Sequence, residues 1–509
     1  MWVLHFLFYT LVCTLSFLSS HACPEKCVCE PMASVQCFRV QSIPTGIPRD
    51  VRKLNLGYNH IKEIKVIDFS GLSGLEEVIL LSCRVEQLEA NALRAQRTLR
   101  TLDLQKNRLR HVPRGLPPSL ENLHMGHNRI QTVQESALQG LKRLRMLNLQ
   151  NNLITTLRPS TLSGLVKLEG LYLEGNKIAM VQGLLRLPVL NRLSIANNKV
   201  LSLPSAFFSS LQLLKTLDLS SNLLTRVPHD LPQSLIHLNM DRNQIRTLKS
   251  RDMAQLCNLT TLSVCYNRVV SVDGGLRLPS LTTLELAGNQ LQVIPSRLSP
   301  KLEKLDCGQN HIQEVTYQHL SGMRQLRHLF LENNTIRHFE TNALRNCLHL
   351  TNLALEQNLL PTIPYGLPET LVRLDLKGNH ITIIQEHELT SLKRLQVLNL
   401  RNNRLSSLPS MNILLPNLQT LYLEGNPWNC SCELLTIKRA LLARDIDISL
   451  EFCTEHVYKS VDIWQAYVNA QEKCEDQTRD SLKRKLNEHL LSLKRLLKSY
   501  YTNSKCNLS

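Results

Sequence analysis

The residues of this chain best suited to covalent chemistry are cysteines, in two groups of four. Cys23, Cys27, Cys29 and Cys37 stand near the start as CPEKCVC and one more; Cys430, Cys432, Cys453 and Cys474 stand near the other end. Such spacing can staple a segment with disulfides or hold zinc through thiolates. Each group of four allows three pairings, and spacing alone does not choose among them. Residues 4–18 are almost wholly apolar, and Ser20-His21-Ala22 offers small side chains for cleavage, so residues 1–22 read as a secretory signal. Export into an oxidising compartment favours disulfides over zinc. Each bridge is expected to add about 2–4 kcal/mol.

Between the two cysteine groups one pattern repeats seventeen times: leucine-x-x-leucine-x-leucine-x-x-asparagine, as in LRTLDLQKN (residues 99–107) and LTTLELAGN (residues 281–289). This is the leucine-rich repeat signature. Each copy predicts a short strand whose leucines alternate into a core, with the Asn amide satisfying backbone groups at the bend that follows. Each coil buries its leucines only against the next coil, so both ends need covers. The reading is therefore an α/β solenoid, a horseshoe with a parallel concave sheet and disulfide caps at both ends. Its segments are a signal at 1–22, a cap at 23–50, repeats at 51–426, a cap at 427–474 and a tail at 475–509. The ladder position is Asn in every repeat except the second, where it is Cys83. Repeat lengths alternate between about 24 and 21 residues. The short ones carry prolines on the outer arc, as in HVPRGLPPSL (residues 111–120), which predicts extended backbone there. The long ones carry GLxxL sequences, as in GLKRLRML (residues 140–147), where a short helical turn fits.

Three positions per repeat should point into the concavity. Across seventeen repeats they hold eleven carboxylates, among them Asp218, Asp241, Glu285, Asp306, Glu332 and Glu356, against six Lys or Arg. The whole chain carries a formal net charge of +17, so this strip runs against the overall sign. Tyr172, Phe330 and Tyr422 occupy its central column and read as exposed aromatic anchors. The strip is expected to receive a basic protein ligand. Positive charge on the outer arcs and the tail suits heparin-like polyanions, and nucleic acid is not expected for an exported chain. The tail places Leu482, Leu486, Leu490, Leu493 and Leu497 at helical spacing among eight Lys or Arg and four Asp or Glu.

Sequons begin at Asn258, Asn333, Asn429 and Asn507, and Asn258 and Asn333 are the expected glycosylation sites. Ser-Gly pairs at Ser70, Ser73, Ser163 and Ser321 read as ordinary turns. Cys83 and Cys307, which replace a ladder Asn and an inner Leu, read as buried thiols, and Cys257 and Cys347 as core candidates. Cys265, on the concave strip, and Cys506, in the tail, read as candidate reactive thiols. No phosphate-binding glycine loop, HExxH helix or GxSxG elbow occurs, and no cofactor or metal is expected.

The cap and repeat strings resemble the small leucine-rich repeat proteoglycans of extracellular matrix. They are the N-terminal cysteine cap, LALEQNLL (residues 353–360), RLDLKGN (residues 373–379), QVLNLRNNR (residues 396–404) and LYLEGNPWNCSC (residues 421–432). The resemblance implies a secreted, non-enzymatic matrix protein that antagonises transforming growth factor-β signalling by binding a component of that pathway. It also implies first-with-third and second-with-fourth pairing: Cys23–Cys29, Cys27–Cys37, Cys430–Cys453 and Cys432–Cys474. Two features depart from the family's major classes: seven residues separate Cys29 from Cys37, and the second cap has four cysteines. Collagen binding is therefore not carried over.

Overall fold

In the computed structural model, which describes residues 23–448 apart from 274, 275, 277 and 430, each repeat contributes one strand of three residues. The chain divides into two compact units, Met1–His311 with Gly322–Leu326, and Ile312–Ser321 with Arg327–Ser509. In the first unit an antiparallel hairpin, Cys27–Glu30 with Ser34–Cys37, leads in. Parallel strands then follow in chain order from Lys53–Asn55 to Lys304–Asp306. The second unit repeats the arrangement from His328–Phe330 to Thr420–Tyr422 and ends on Asp447–Ile448. Both units are leucine-rich repeat stacks with a parallel sheet.

The strands form because the period is two. In Thr216–Asp218 the central Leu217 is buried, while Thr216 and Asp218 face the other way and stay half-buried. The inner leucines register one on the next: Leu193 on Leu217, Leu217 on Leu238. Burying each is worth about 1.5–3 kcal/mol relative to exposure.

The asparagines fasten the coils. Asn152 Nδ2 donates to Leu149 O in its own coil and to Met125 O in the previous one, both at 3.0 Å. Its Oδ1 accepts the Ile130 N–H at 3.0 Å. Asn176, Asn198 and Asn222 repeat this clamp, and all are buried. The residue before each ladder position takes a positive φ, from Tyr58 (60°) to Gly425 (71°), which turns the chain out of the strand.

One sequence expectation is corrected on the outer arcs. The helical turn of a long repeat lies before its Gly-Leu pair: Glu135–Leu138 is helical, and Gly140 follows at φ 87°. There the left-handed Gly140 ends the turn, so the GLxxL sequence marks its exit. Long repeats also pair a second time beyond the bend, as in Thr156–Leu157 with Met180–Val181, which the leucine pattern did not signal.

The N-terminal cap contains the bonds Cys23–Cys29 and Cys27–Cys37, and its second strand pairs with the first repeat. After the last repeat, Ser431 caps the helix Cys432–Leu442, which buries Leu434, Leu435, Ile437 and Leu441. Cys432 is disulfide-bonded. Cys430, Cys453, Cys474, Cys506, the signal and the tail lie outside the described residues.

Candidate functional site: the polar face of the sheet

The outward face of the sheet carries the residues singled out from the sequence. In the first unit the central column reads, strand by strand, Tyr172, Ser194, Asp218, Asn239, Ser263, Glu285, Asp306. Asp241 lies beside it. Ser263 Oγ sits 2.7 Å from Asp241 Oδ1 and 3.1 Å from Glu285 Oε2, so one hydroxyl lies between two carboxylates. Lys304 Nζ donates to Glu285 Oε1 at 2.6 Å and is the cation nearest this group. Burial raises the Asp241 carboxyl above its ordinary range. Hydrogen bonds from Ser263 and the Cys265 N–H oppose that, and the charges of Glu285 and Asp218 add to it. Asp306 and Glu174 are raised for the same first reason, burial. Burial pulls the Lys304 ammonium down, but its hydrogen bond and attraction to Glu285 outweigh that and leave it raised.

The second unit holds its own acidic group. Burial, the charge of Asp375 and a carboxyl–carboxyl hydrogen bond to Asp375 push Glu356 up to about 7; Glu332 adds to the rise and Lys377 opposes it. Asn399 Nδ2 donates to Asp375 Oδ2 at 2.9 Å.

Several of these carboxylates also have a structural duty. Oδ1 of Asp218, Asp306 and Asp375 accepts the N–H two residues on, at 2.9, 3.0 and 3.1 Å, and Asn239 does the same for Asp241. One oxygen of each shapes the strand exit, and the second oxygen of Asp375 holds Asn399. Sequence reasoning weighed these side chains as ligand contacts or as ordinary solvated polar groups; the recurrence of Asp or Asn in the column was the signal for this second role.

The aromatic anchors are corrected. Tyr172 is half-buried, its ring lying over Gly170 so closely that a Cβ there would stand 3.1 Å from it. Phe330 is half-buried and stacks on His328, centroids 6.4 Å apart. Tyr422 lies under the Arg401 guanidinium at 4.2 Å, which itself holds Glu424 through two bonds of 2.5 and 2.6 Å. Among the described residues the exposed rings are Phe38, Tyr58, Tyr266 and Tyr365, and of these Tyr58 and Tyr266 stand on the left-handed edge column that sequence reading passed over. A flat ring lies down on its neighbour when that neighbour is Gly or a planar group.

The cysteines divide differently from expectation. Cys265 is buried, and burial with the adjacent Asp241 pushes its thiol up to about 12, so it is no nucleophile. Cys257 is exposed and does not belong to the core. Cys83, Cys307 and Cys347 are buried, as read. Asn258 and Asn333 are both exposed.

A family model described as Leucine rich repeat matches residues 118–178, 188–245, 300–360 and 369–427. Mouse nephrocan is 45% identical over 464 residues, covering 91% of each chain. The chain belongs to the small leucine-rich repeat proteoglycan family. Human podocan-like protein 1 is 30% identical over 403 residues, 77% of this chain and 70% of that one. Bovine osteomodulin is 31% identical over 352 residues, 66% of this chain and 67% of that one. Among solved structures, the Toll–Spatzle complex of Drosophila aligns with a TM-score of 0.66 at 20% identity, covering 79% of this chain and 58% of that one. YopM of Yersinia enterocolitica aligns at 0.59 and 23% identity, covering 77% and 78%. At those identities the likeness is one of fold. Proteins of the proteoglycan family are matrix proteins without enzymatic activity, and this chain is not an enzyme.

Proposed function

We propose that this chain is a secreted extracellular-matrix protein that captures a basic protein ligand on the polar face of its sheet. Through that capture it inhibits transforming growth factor-β signalling by holding a component of the pathway, as the family resemblance implies. The observation that supports this reading is the Asp241–Ser263–Glu285 group with Asp306 beside it: desolvated carboxylates, crowded together, with Lys304 as their near cation. An arriving Lys or Arg would relieve that crowding. Charge complementarity of this kind steers encounter as well as strengthening contact. In the same reading Asn258 and Asn333 carry glycans, the second cap pairs Cys430–Cys453 and Cys432–Cys474, and the basic tail meets a heparin-like polyanion.

The test is binding of the purified mature chain to transforming growth factor-β, its receptors and collagen fibrils. The combined variant Asp218→Asn, Asp241→Asn, Glu285→Gln and Asp306→Asn keeps the turn-forming oxygens and removes four charges. It should bind the pathway component at least tenfold more weakly. Unchanged affinity in a folded variant would remove the sheet face from the mechanism, and preference for collagen would favour a matrix organiser.

A further inference from the structure

The flank of the first unit opens where the third repeat runs short. The 21 residues from Asn107 to Asn128 cross the outer arc through Pro113 and Pro117 without a helical turn, between preceding and following repeats of 24. The missing length leaves a surface cavity of about 760 Å³, lined by Arg108, Arg110, His111, Arg114 and Arg129, all exposed. One carboxylate, Glu86, lines it and pairs with Arg108 at 3.0 Å. Arg114 Nε donates to Gln134 Oε1 at 3.2 Å. Among the described residues no side chain engages Arg110 or Arg129.

This charge is not a property of short repeats. In the next one, Leu223, Thr225, His229 and Gln244 stand where Arg108, Arg110, Arg114 and Arg129 stand here. None of the four positions is Arg or Lys in the other two. A second cavity, of about 420 Å³, lies further along the first unit between Arg158 and Arg186, with no carboxylate in its lining. One to three coils separate the arginines of the first cavity from those of the second, roughly 5–15 Å from about 4.8 Å per coil.

We propose that this flank binds a sulfated polysaccharide, its sulfates seated on the arginines of both cavities. Guanidinium forks hold tetrahedral oxyanions through paired N–H bonds, which lysines do not. One free anion cannot reach all of these arginines; a linear polyanion can. The inference rests on the extracellular reading and not on the acidic sheet face.

The experiment uses the full chain with heparin and an arginine-selective label read residue by residue by mass spectrometry. Heparin should protect Arg110, Arg129, Arg158 and Arg186 and leave Arg337 and Arg373 labelled. Labelling of the four at the heparin-free level overturns the proposal, even where the basic tail retains the polymer. Arg110→Glu with Arg129→Glu should raise the heparin concentration that half-protects Arg114 at least fivefold; no change overturns it. Equal protection by polyglutamate would assign the flank to an acidic protein. Equal protection by inorganic sulfate would reduce it to separate anion pockets. Either result rejects the polysaccharide. The four-charge sheet-face variant should protect as the natural chain does, which separates failure of this site from failure of that one.

Discussion

Cys83 shows what the ladder asparagine does by lacking part of it. Its thiol donates to Leu56 O at 2.8 Å, replacing the amide donor, but it offers no amide oxygen. In the next coil that oxygen, Asn107 Oδ1, accepts the Val85 N–H at 2.8 Å; the matching group here is the N–H of buried Ile61. Cys83→Asn should therefore stabilise the chain by about 1 kcal/mol, the net worth of one more buried hydrogen bond, read as a shift in denaturant midpoint. Glu356 carries a pH effect of definite sign. Its carboxyl is raised to about 7, chiefly by burial, so the folded chain holds a proton that the unfolded chain releases near the ordinary value of 4.5. The stabilisation is full below that ordinary value and is lost as pH rises through about 7. Glu356→Gln should match the natural chain at pH 4 and exceed its stability at pH 8. Because the group is partly solvated, the gain is on the order of 1 kcal/mol. Equal stability at both pH values would remove the carboxyl crowding from the account. The identity of these carboxylates could be read from the sequence. The raised carboxyl of Glu356 could not, because it depends on desolvation and on the approach of side chains from separate repeats.

At the scale of the element, the strand exit is the exacting part. The residue before each ladder position is left-handed, and where it is Gly the side chain of the previous coil lies over it. A Cβ on Gly175, at φ 70°, would stand 2.1 Å from Asn151 Oδ1. Gly175→Ala should cost about 1–2 kcal/mol from the backbone alone and more from the collision. Adding Asn151→Ala should return the collision part and leave the backbone part; a double-mutant cycle of thermal unfolding measures both. The strands were legible because a period of two with buried leucine admits one register. The helical turns were displaced from expectation because Gly-Leu marks where a turn ends, and the aromatic rings were misplaced because burial depends on what the adjacent repeat presents.

On the scale of the whole molecule, a chain with a formal net charge of +17 gathers carboxylates on one face and arginines on a flank. Each surface should therefore have its own salt dependence. Raising ionic strength from about 0.01 M to 0.15 M shortens the screening length from about 30 Å to about 8 Å. The on-rate of a basic ligand at the sheet face should fall several-fold while its off-rate changes little, measurable by stopped-flow or surface binding kinetics. An on-rate indifferent to salt would mean that the carboxylates do not steer the encounter.

The amino-acid sequence alone determined the repeat, the inward leucines, the asparagine clamp and the membership of the carboxylate row, because each follows from a local period that every coil repeats. Tertiary structure decided which carboxylates crowd, which rings lie covered, that Cys265 is sealed and Cys257 open, and that one short repeat leaves an arginine-lined hollow. Those outcomes arise between coils, where side chains distant in sequence meet at strand spacing and share one supply of solvent.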